Sequence, residues 1–352
     1  MSDLLRDLWY FAATTRELKR GKMFRREILG EPVLLGRDQE GRAFALRDIC
    51  PHRAVPLSAG KIEPTNGVQT VECPYHGWRF GAHDGVCRMI PTLVEGQPYD
   101  PARIRVRRFA THEANGIVLI FVSSDPRFDG DPPPPPDFGL GDLTEPKFVI
   151  DRIFAATMDN AVVGLMDPAH VPYVHNQWWW RPPSAGKKLK EKRFVPRERG
   201  WAIERHSPSG NSLAYRALFG GQVTTEICFM LPGFRWEVVD NPHSRLFTLT
   251  CLTPETETST RITQVTYWKN APLLDAMKPI LIPAGREFLD QDGRMVDLQN
   301  TGLQYGPSML WIDDIDVQAK WYLKLKREWS RSREEGRAFV NPIEPTTLRW
   351  MS

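Results

Sequence analysis

The sequence predicts an α+β protein in two parts: an all-β N-terminal domain, then an α+β domain in which helices flank a central antiparallel sheet. Three features predict this class. Short β-rich stretches occupy the first part, a run of five prolines follows, and alternating stretches mixed with helical patterns occupy the second part. We therefore place a first domain at residues 1–125, a Pro-rich linker at 126–146 and a second domain at 147–352.

The first domain is predicted from short stretches rich in β-branched and aromatic residues, separated by Gly, Pro, Asn and Asp turns. These stretches are residues 33–35, 43–46, 68–71 and 117–122. The prolines from Pro132 to Pro136 can form only an extended polyproline segment without internal hydrogen bonds. This segment marks the domain boundary.

The second domain is predicted from two kinds of periodicity. Alternation of apolar and polar residues, typical of a half-buried antiparallel sheet, occurs at 194–195, 222–229, 246–250 and 261–268. Helical patterns occur at about 155–175, 271–300 and 311–335. One helix is therefore expected before the sheet and further helices after it.

The composition is that of a globular protein, with 41% hydrophobic and 25% charged residues among 352. A net charge of +3 is too small to indicate nucleic acid as a partner, and no apolar run is long enough to span a membrane. Arg6 and Asp7 interrupt the apolar N-terminal stretch, so we expect a cytoplasmic protein without a secretory signal. Five scattered cysteines favour metal binding over a disulfide framework.

Two short Cys/His segments form the strongest local pattern. Cys50-x-His52 and Cys73-x2-His76 are separated by 20 residues and provide two thiolates and two imidazoles. Thiolate suits an iron–sulfur centre or zinc, and imidazole ligation of one iron raises the potential of a [2Fe-2S] cluster. A structural zinc site is the alternative. A Pro after each Cys, and Gly77 where the backbone must pass close to a cluster, favour iron–sulfur.

These segments, CPHR and CPYHGW, resemble the motif of Rieske ferredoxins, and the resemblance extends from Trp9 to Pro91. It implies an N-terminal Rieske domain whose [2Fe-2S] cluster is held by Cys50, His52, Cys73 and His76. Tyr75 stands where respiratory Rieske proteins carry an extra disulfide cysteine, which implies the ferredoxin-like subtype of lower potential.

The chain departs from this motif in two places. Ala54 replaces the usual Gly, which puts only the local turn conformation in question, and residues 63–66 lengthen the gap between the segments, which we interpret as a longer hairpin. Cys87 is interpreted as a packed thiol, because the ligand count is already complete.

Residues 159–175 contain a second set of candidate ligands. His170 and His175 are five residues apart near a helix end loosened by Pro172, so both imidazoles can turn to one point. Two His and one carboxylate form the triad typical of non-haem Fe(II), which leaves positions open for O2. Alone, such a His pair is more commonly structural or surface-exposed. Downstream of a Rieske-like segment, however, Asn160-x6-Asp167-x2-His-x4-His resembles the catalytic iron motif of Rieske oxygenases.

This second resemblance implies that His170 and His175 bind iron and that Asp167 bridges the two metal sites. Asp167 would accept one hydrogen bond from His170 and another from the partner subunit's His76. A carboxylate in this position fixes an imidazole tautomer and raises its basicity. A helix cap before Pro168 is the alternative role for Asp167.

The third ligand is expected far along the chain. Residues 288–299 resemble the family's Phe-x2-Glu/Gln-Asp-x4-Glu-x-Gln pattern, in which Asp292 fits best as the iron ligand. Asp290 is the competitor, two positions away and about 200° round a helix. Asp297 is interpreted as a solvated or capping acid.

The resemblance implies an oxygenase component that uses O2, two electrons and two protons to hydroxylate or oxidatively demethylate a hydrophobic cyclic or aromatic substrate. The chain is similar in length to the alpha-only monooxygenases and demethylases of this family. A ring dihydroxylase alpha subunit is one alternative. A Rieske electron-transfer protein without oxygenase activity is an alternative of a different class.

The electron donor is expected to be a separate protein. No G-x-G-x-x-G fingerprint follows a predicted strand, so NAD(P)H would act only through a reductase, with or without a ferredoxin. An acidic donor could dock on Arg103, Arg105, Arg107 and Arg108, although this spacing is also typical of an exposed edge strand.

The family's electron transfer between subunits implies a head-to-tail ring, a homotrimer. Near the candidate iron site, a hydrophobic entrance or a loop anchor is predicted at Trp178, Trp179 and Trp180.

Overall fold

The computed structural model describes residues 4–175, 188–207 and 222–352. It divides into one unit of residues 6–137 and a second of residues 138–352 with residues 1–5. The first unit extends past residue 125 because Pro133 O accepts a 2.9 Å hydrogen bond from Trp9 Nε1, and Asp129 pairs with Arg108. The predicted roles of Trp178, Trp179 and Trp180 lie outside the described residues.

The first unit is all-β, as predicted, apart from two short 3-10 turns at Leu57–Ala59 and Pro101–Arg103. A six-stranded sheet has the order β1-β10-β9-β4-β3-β2, and a four-stranded sheet the order β5-β6-β7-β8. The strands are β1 Leu8–Thr14, β2 Lys22–Ile28, β3 Glu31–Arg37, β4 Ala43–Arg47, β5 Lys61–Ile62, β6 Thr70–Glu72, β7 Arg79–Gly81, β8 Cys87–Met89, β9 Arg108–Ala114 and β10 Ile117–Val122.

The small sheet and its loops form one apolar cluster. Leu57, Val71 and Phe80 are fully buried in it together with Cys50 and Cys73. Burying these side chains stabilises the loops that carry the two cysteines, since apolar burial is the main favourable term in folding.

The extra residues between the two Cys/His segments form the predicted hairpin. Thr65 and Val68 exchange backbone hydrogen bonds of 2.9 and 3.0 Å. Between them, Asn66 and Gly67 have positive φ angles of 50° and 77°, as a two-residue hairpin turn requires.

The second unit is α+β, as predicted, with one eight-stranded antiparallel sheet of order β11-β17-β16-β15-β14-β13-β12-β18. Its strands are β11 Phe148–Phe154, β12 Leu189–Arg197, β13 Gly200–His206, β14 Thr224–Met230, β15 Phe234–Asp240, β16 Arg245–Pro254, β17 Thr260–Lys269 and β18 Thr346–Met351. Its described helices are α1 Met158–Met166, α2 Val171–Val174, α3 Pro272–Leu303 and α4 Val317–Glu334.

A buried ion pair joins the start of α1 to α4. Nζ of Lys326, 7% exposed, lies 2.9 and 2.7 Å from the two carboxylate oxygens of Asp159, which also accept a 2.7 Å hydrogen bond from the Tyr322 hydroxyl. Thr157 caps the same helix by accepting from the Asn160 backbone N–H. These contacts fix the helix that leads into the candidate iron ligands.

Among the helices of the described residues, none is both long and apolar enough to cross a membrane.

Candidate metal centres

The two Cys/His segments of the first unit adopt the same backbone pattern. Cys50 O accepts from Ala54 N at 2.9 Å and Cys50 N donates to Val55 O at 2.9 Å. Cys73 repeats this with Gly77 N at 3.0 Å and Trp78 O at 2.8 Å. The fourth residue after each Cys has positive φ, 58° at Ala54 and 69° at Gly77. The Ala therefore adopts the left-handed conformation for which the family uses Gly.

The four predicted cluster ligands lie together. The rings of His52 and His76 are 4.7 Å apart between centroids, and both cysteines are buried free thiols. Burial and the neighbouring Cys73 thiol raise the pKa of Cys50 to about 11, although backbone N–H groups oppose the rise. Burial, with the charges of His76 and Arg53, lowers the pKa of His52. Both shifts favour the neutral forms of Cys50 and His52, and a metal that binds Cys50 would have to displace its proton.

A buried nitrogen in this site lacks a protein partner. His76 Nδ1 is buried without a hydrogen-bond partner in the described part of the chain, although such atoms are normally satisfied. Trp78 stacks on His52 with centroids 4.5 Å apart and planes 4° apart, which fixes that ring. Two thiols and two restrained imidazoles fit the ligand set of a Rieske cluster. Cys87 packs in the same apolar cluster with Sγ 3.5 Å from Met89 O, as predicted for a packed thiol.

The second predicted set comes together within the second unit. Ligand atoms of His170, His175 and Asp292 all lie within 4.8 Å of one another. Asp292 Oδ1 is 3.3 Å from His175 Nε2 and 3.6 Å from His170 Nε2. The two His flank the four residues of α2, and Asp292 lies on α3. Two imidazoles and one carboxylate fit a mononuclear Fe(II) site with open positions.

The Nδ1 atoms of both imidazoles have acceptors. His170 Nδ1 donates to Asp167 O at 2.8 Å, and His175 Nδ1 donates to Gln291 Oε1 at 2.9 Å. With both protons on Nδ1, each Nε2 presents a lone pair beside Asp292. Phe288 stacks on His175 with centroids 3.5 Å apart, which further fixes the ring. Phe288 and Gln291 occupy positions of the quoted sequence pattern, but no role was predicted for them, because the pattern does not show where side chains point.

Asp167 contacts His170 differently from the expected arrangement. Its backbone carbonyl accepts the His170 hydrogen bond, while the nearest carboxylate oxygen is 3.8 Å from Nδ1, beyond hydrogen-bond range. The carboxylate accepts from the Ala169 backbone N–H at 2.7 Å. Its side chain is 36% exposed, so the second oxygen is open to another donor.

The structure separates the two competing acids, Asp290 and Asp292. Arg152 on β11 donates to Asp290 Oδ1 at 2.6 Å and to Asp290 O at 2.9 Å, and lies 3.6 Å from Asp297. A Cβ atom added to Gly293 would lie 2.3 Å from Arg152 Cζ, so the guanidinium lies directly against this glycine. Arg152 therefore binds Asp290 and Asp297, while Asp292 lies beside the two His residues.

A cavity of about 190 Å³ borders the candidate iron site. It is lined by Phe154, Ala161, Gly164, Leu165, Asp167, His170, Val174, Ile262, Leu289, Asp292, Met295, Val296 and Gln299. The walls are therefore mostly apolar, with the polar groups gathered at the candidate ligands. Such a pocket suits an apolar small molecule.

Most of the predicted docking arginines have acidic partners within their own unit. Arg107 lies 2.7 Å from Glu31, and Asp129 lies 2.6 Å from Arg108 and 3.3 Å from Arg105. These pairs neutralise much of the basic charge, so donor docking here stays a prediction.

Two protein families match the chain. Residues 8–109 match the Rieske [2Fe-2S] domain, and residues 154–325 match the vanillate O-demethylase oxygenase C-terminal domain. The four Cys/His residues of the first centre fall within the first match. The second match contains His170, His175 and Asp292.

Curated relatives share about half of this chain. The oxygenase component of dicamba O-demethylase from Stenotrophomonas maltophilia is 36% identical over 178 residues, 49% of this chain and 48% of the relative. Chlorophyllide a oxygenase of Arabidopsis thaliana is 28% identical over 53% of this chain and 32% of the relative. The chain thus spans about half or less of the length of these relatives.

Solved structures match over nearly the whole fold. Dicamba monooxygenase bound to 3,6-dichlorosalicylic acid is 25% identical, with a TM-score of 0.68 over 92% of this chain and 97% of that one. NdmA of Pseudomonas putida with theobromine is 18% identical, with a TM-score of 0.71 over 94% of this chain and 92% of that one. With both domain types present in the same order, the chain belongs to the Rieske oxygenases, a family that combines a Rieske [2Fe-2S] cluster with a mononuclear iron.

Proposed function

We propose that this chain is a Rieske monooxygenase or demethylase that uses O2 and external electrons to oxidise a hydrophobic cyclic or aromatic substrate. The main support is that His170, His175 and Asp292 converge at the wall of a mostly apolar cavity. A chain that only carried electrons would have no use for this site. The names of the relatives, which include an O-demethylase and a toluene-4-sulfonate monooxygenase subunit, support the reaction class.

In this proposal the metals are held by the residues that converge. The cluster ligands are Cys50, His52, Cys73 and His76, and the iron ligands are His170, His175 and Asp292. When bound, the iron supplies O2 activation with electrons received through the cluster, chemistry that no side chain here provides. The chain's own part is to present each Nε2 lone pair, through the Nδ1 bonds to Asp167 O and Gln291, and to hold the substrate in a mostly apolar cavity.

Asp167 is the proposed link between a cluster and an iron held by different subunits. Its open carboxylate oxygen would accept from the partner subunit's His76, while its carbonyl orients His170. The buried, unpartnered Nδ1 of His76 would be the cluster-binding nitrogen, which leaves Nε2 for this bond. Such a heterologous contact closes as a ring, and we propose a homotrimer.

The domain assignment supports a cluster in the first domain and an iron in the second. We propose a Rieske domain at 1–125, a Pro-rich linker at 126–146 and a catalytic domain at 147–352, since the two family matches fall within the first and last of these ranges. The electron donor would be a reductase, with or without a ferredoxin. The five free cysteines suit the reducing cytoplasm, where we place the protein.

Metal and sulfide analysis tests the proposal first. An oxygenase should hold about three irons and two acid-labile sulfides per chain, an electron carrier about two of each, and a zinc protein neither. Loaded protein should then be supplied with a reductase, NADH and methylated aromatic compounds while O2 and formaldehyde are measured. Product formation with O2 consumption supports the proposal. A third iron with no oxidation of any compound in the screen would contradict the substrate class, and a diol product would favour the dihydroxylase alternative.

A further inference from the structure

Gly164 on α1 borders the cavity without an evident structural need for glycine. A Cβ atom added there would have no other atom within 4 Å, so packing does not exclude a side chain. Its φ is not among the positive values, so the helix does not require glycine either. Glycine inside a helix is less stable than alanine. Gly164 is exposed and lines the cavity, so the remaining consequence of glycine at this position is open space where the cavity meets solvent.

Gly164 lines the same cavity as the candidate iron ligands His170 and Asp292. Ala161 and Gly164 lie on successive turns of α1, Asp167 follows as its C-cap residue, and all three line the cavity. Across the cavity, α3 contributes Asp292 and Met295. A side chain at position 164 would therefore enter the volume between the small residues of α1 and the helix that carries Asp292.

The charges of the cavity wall restrict what it can hold. Among the described lining residues, the charged or titratable side chains are Asp167, His170 and Asp292, and the other polar one is Gln299. No Lys or Arg lines the described wall. Apart from the iron itself, whose positive charge Asp292 partly offsets, a carboxylate or sulfonate would find no cationic partner on the described wall and would face the Asp167 carboxylate, which is unfavourable.

We propose that the substrate is an uncharged, largely apolar ring compound, part of which occupies the space left open by Gly164. The residue at position 164 then sets the largest ring system that can reach the iron. This inference rests on the proposed function, because it concerns the cavity beside the proposed iron ligands. To the proposed function, the inference adds that the substrate is uncharged and that its size is limited at position 164.

Variants at position 164 can be compared with a matched helical glycine. Gly302, on α3, is exposed, has no atom within 4 Å of an added Cβ, and does not line the cavity. Gly164→Ala and Gly164→Leu are therefore paired with Gly302→Ala and Gly302→Leu. Iron and sulfide content are measured first. Dissociation constants are then determined calorimetrically without O2, so that no turnover is needed.

Three probes separate size from charge: anisole with one ring, 2-methoxynaphthalene with two, and the anion 6-methoxy-2-naphthoate. Wild-type protein is expected to bind 2-methoxynaphthalene about tenfold or more tightly than the naphthoate. Gly164→Leu should weaken 2-methoxynaphthalene binding by about tenfold, with a smaller loss for Gly164→Ala and for anisole. Both Gly302 variants should bind all three probes like wild type.

Equal affinities of the Gly164→Leu and Gly302→Leu proteins for 2-methoxynaphthalene would overturn the size limit. A naphthoate that binds as tightly as the neutral ether would overturn the charge assignment, and wild-type protein that binds neither neutral ether would overturn both. The proposed function itself would fail in a different way: the protein would lack the third iron, or it would consume no O2 when supplied with a reductase.

Discussion

Gln291 Oε1 accepts a hydrogen bond from His175 Nδ1 at 2.9 Å, and the next residue, Asp292, lies 3.3 Å from the opposite nitrogen of the same imidazole. Two consecutive residues of α3 thus contact both nitrogens of His175. Because His175 is only 2% exposed, solvent has little access to replace either contact. The α3 helix therefore fixes the tautomer of one proposed ligand and supplies another.

Gln291→Leu is expected to weaken iron binding while leaving the cluster intact. The substitution removes the acceptor that keeps the His175 proton on Nδ1, and loss of such a partner typically costs about tenfold or more in metal affinity. Fe(II) dissociation constants and the visible spectrum of the cluster would measure the two effects separately. Gln291→Glu keeps an acceptor and should retain most of the affinity. If Leu and Glu variants bind iron equally, the hydrogen bond has no positioning role.

Asp292→Asn is expected to lose the mononuclear iron, whereas Asp290→Asn should keep it. Asp292 lies beside both imidazoles, and Asp290 is bound by Arg152 instead. The Asp290 side chain is 46% exposed, so losing its ion pair should cost less than about 1 kcal/mol of stability. Iron content per chain, with sulfide content as the reference for the cluster, distinguishes the variants. Loss of iron from the Asp290 variant alone would reverse the assignment.

The candidate ligands differ in how far they follow from sequence. Each Cys/His segment and the His pair spans only a few residues, but their assignment as ligands came from the resemblance to Rieske motifs, because spacing alone left a zinc site and a structural His pair open. The choice between Asp290 and Asp292 depends on Arg152, 138 residues away from Asp290, and a contact across such a distance has no local signal. The acceptor for His170 Nδ1 likewise depends on side-chain geometry. The sequence predicted the Asp167 carboxylate, whereas the acceptor is the Asp167 backbone carbonyl.

In the fold too, elements with a local sequence pattern were predicted, and elements that depend on distant contacts were not. Each of the three helical patterns overlaps an observed helix, although the first, 155–175, also includes the break between α1 and α2, and the third, 311–335, begins six residues before α4. The alternating stretches overlap observed strands. Strands β13 and β15 were not predicted, although they pair on both sides within the sheet. In β13 the run Gly200–Ile203 is buried without alternation, so no period of two marks it. Helix α3 continues through Pro279 and Pro283, as the predicted span of 271–300 required.

Lys326→Met is expected to destabilise the second unit strongly. The substitution removes the cationic partner of Asp159, whose side chain is 24% exposed and keeps its hydrogen bond from Tyr322, so the loss should cost about 2 kcal/mol. Lys320→Met on the same helix is the control, because that lysine is 40% exposed in its pair with Asp313 and should contribute less than about 1 kcal/mol. Thermal unfolding would measure both. Similar midpoints for the two variants would show that the Asp159 pair does not stabilise α1.

Gly293→Ala is expected to displace Arg152 and, through it, the helix turn that carries Asp292. The new methyl carbon would lie 2.3 to 2.6 Å from three atoms of the guanidinium, a group held in place by Asp290. Either the arginine leaves its partners or α3 moves away from β11. Movement of α3 should weaken Fe(II) binding and lower the unfolding temperature, whereas departure of the arginine alone should cost as little as Asp290→Asn. Gly302→Ala, with no neighbour to clash, should do neither.

A double variant separates the clash from any intrinsic need for glycine at position 293. Arg152→Ala removes the atoms that the new methyl group would meet, so adding Gly293→Ala to it should cost little further iron affinity. The two substitutions would then be strongly non-additive, as expected for residues in direct contact. Additive losses would instead mean that glycine is needed for a reason independent of Arg152, and that the arginine does not hold Asp292 in place.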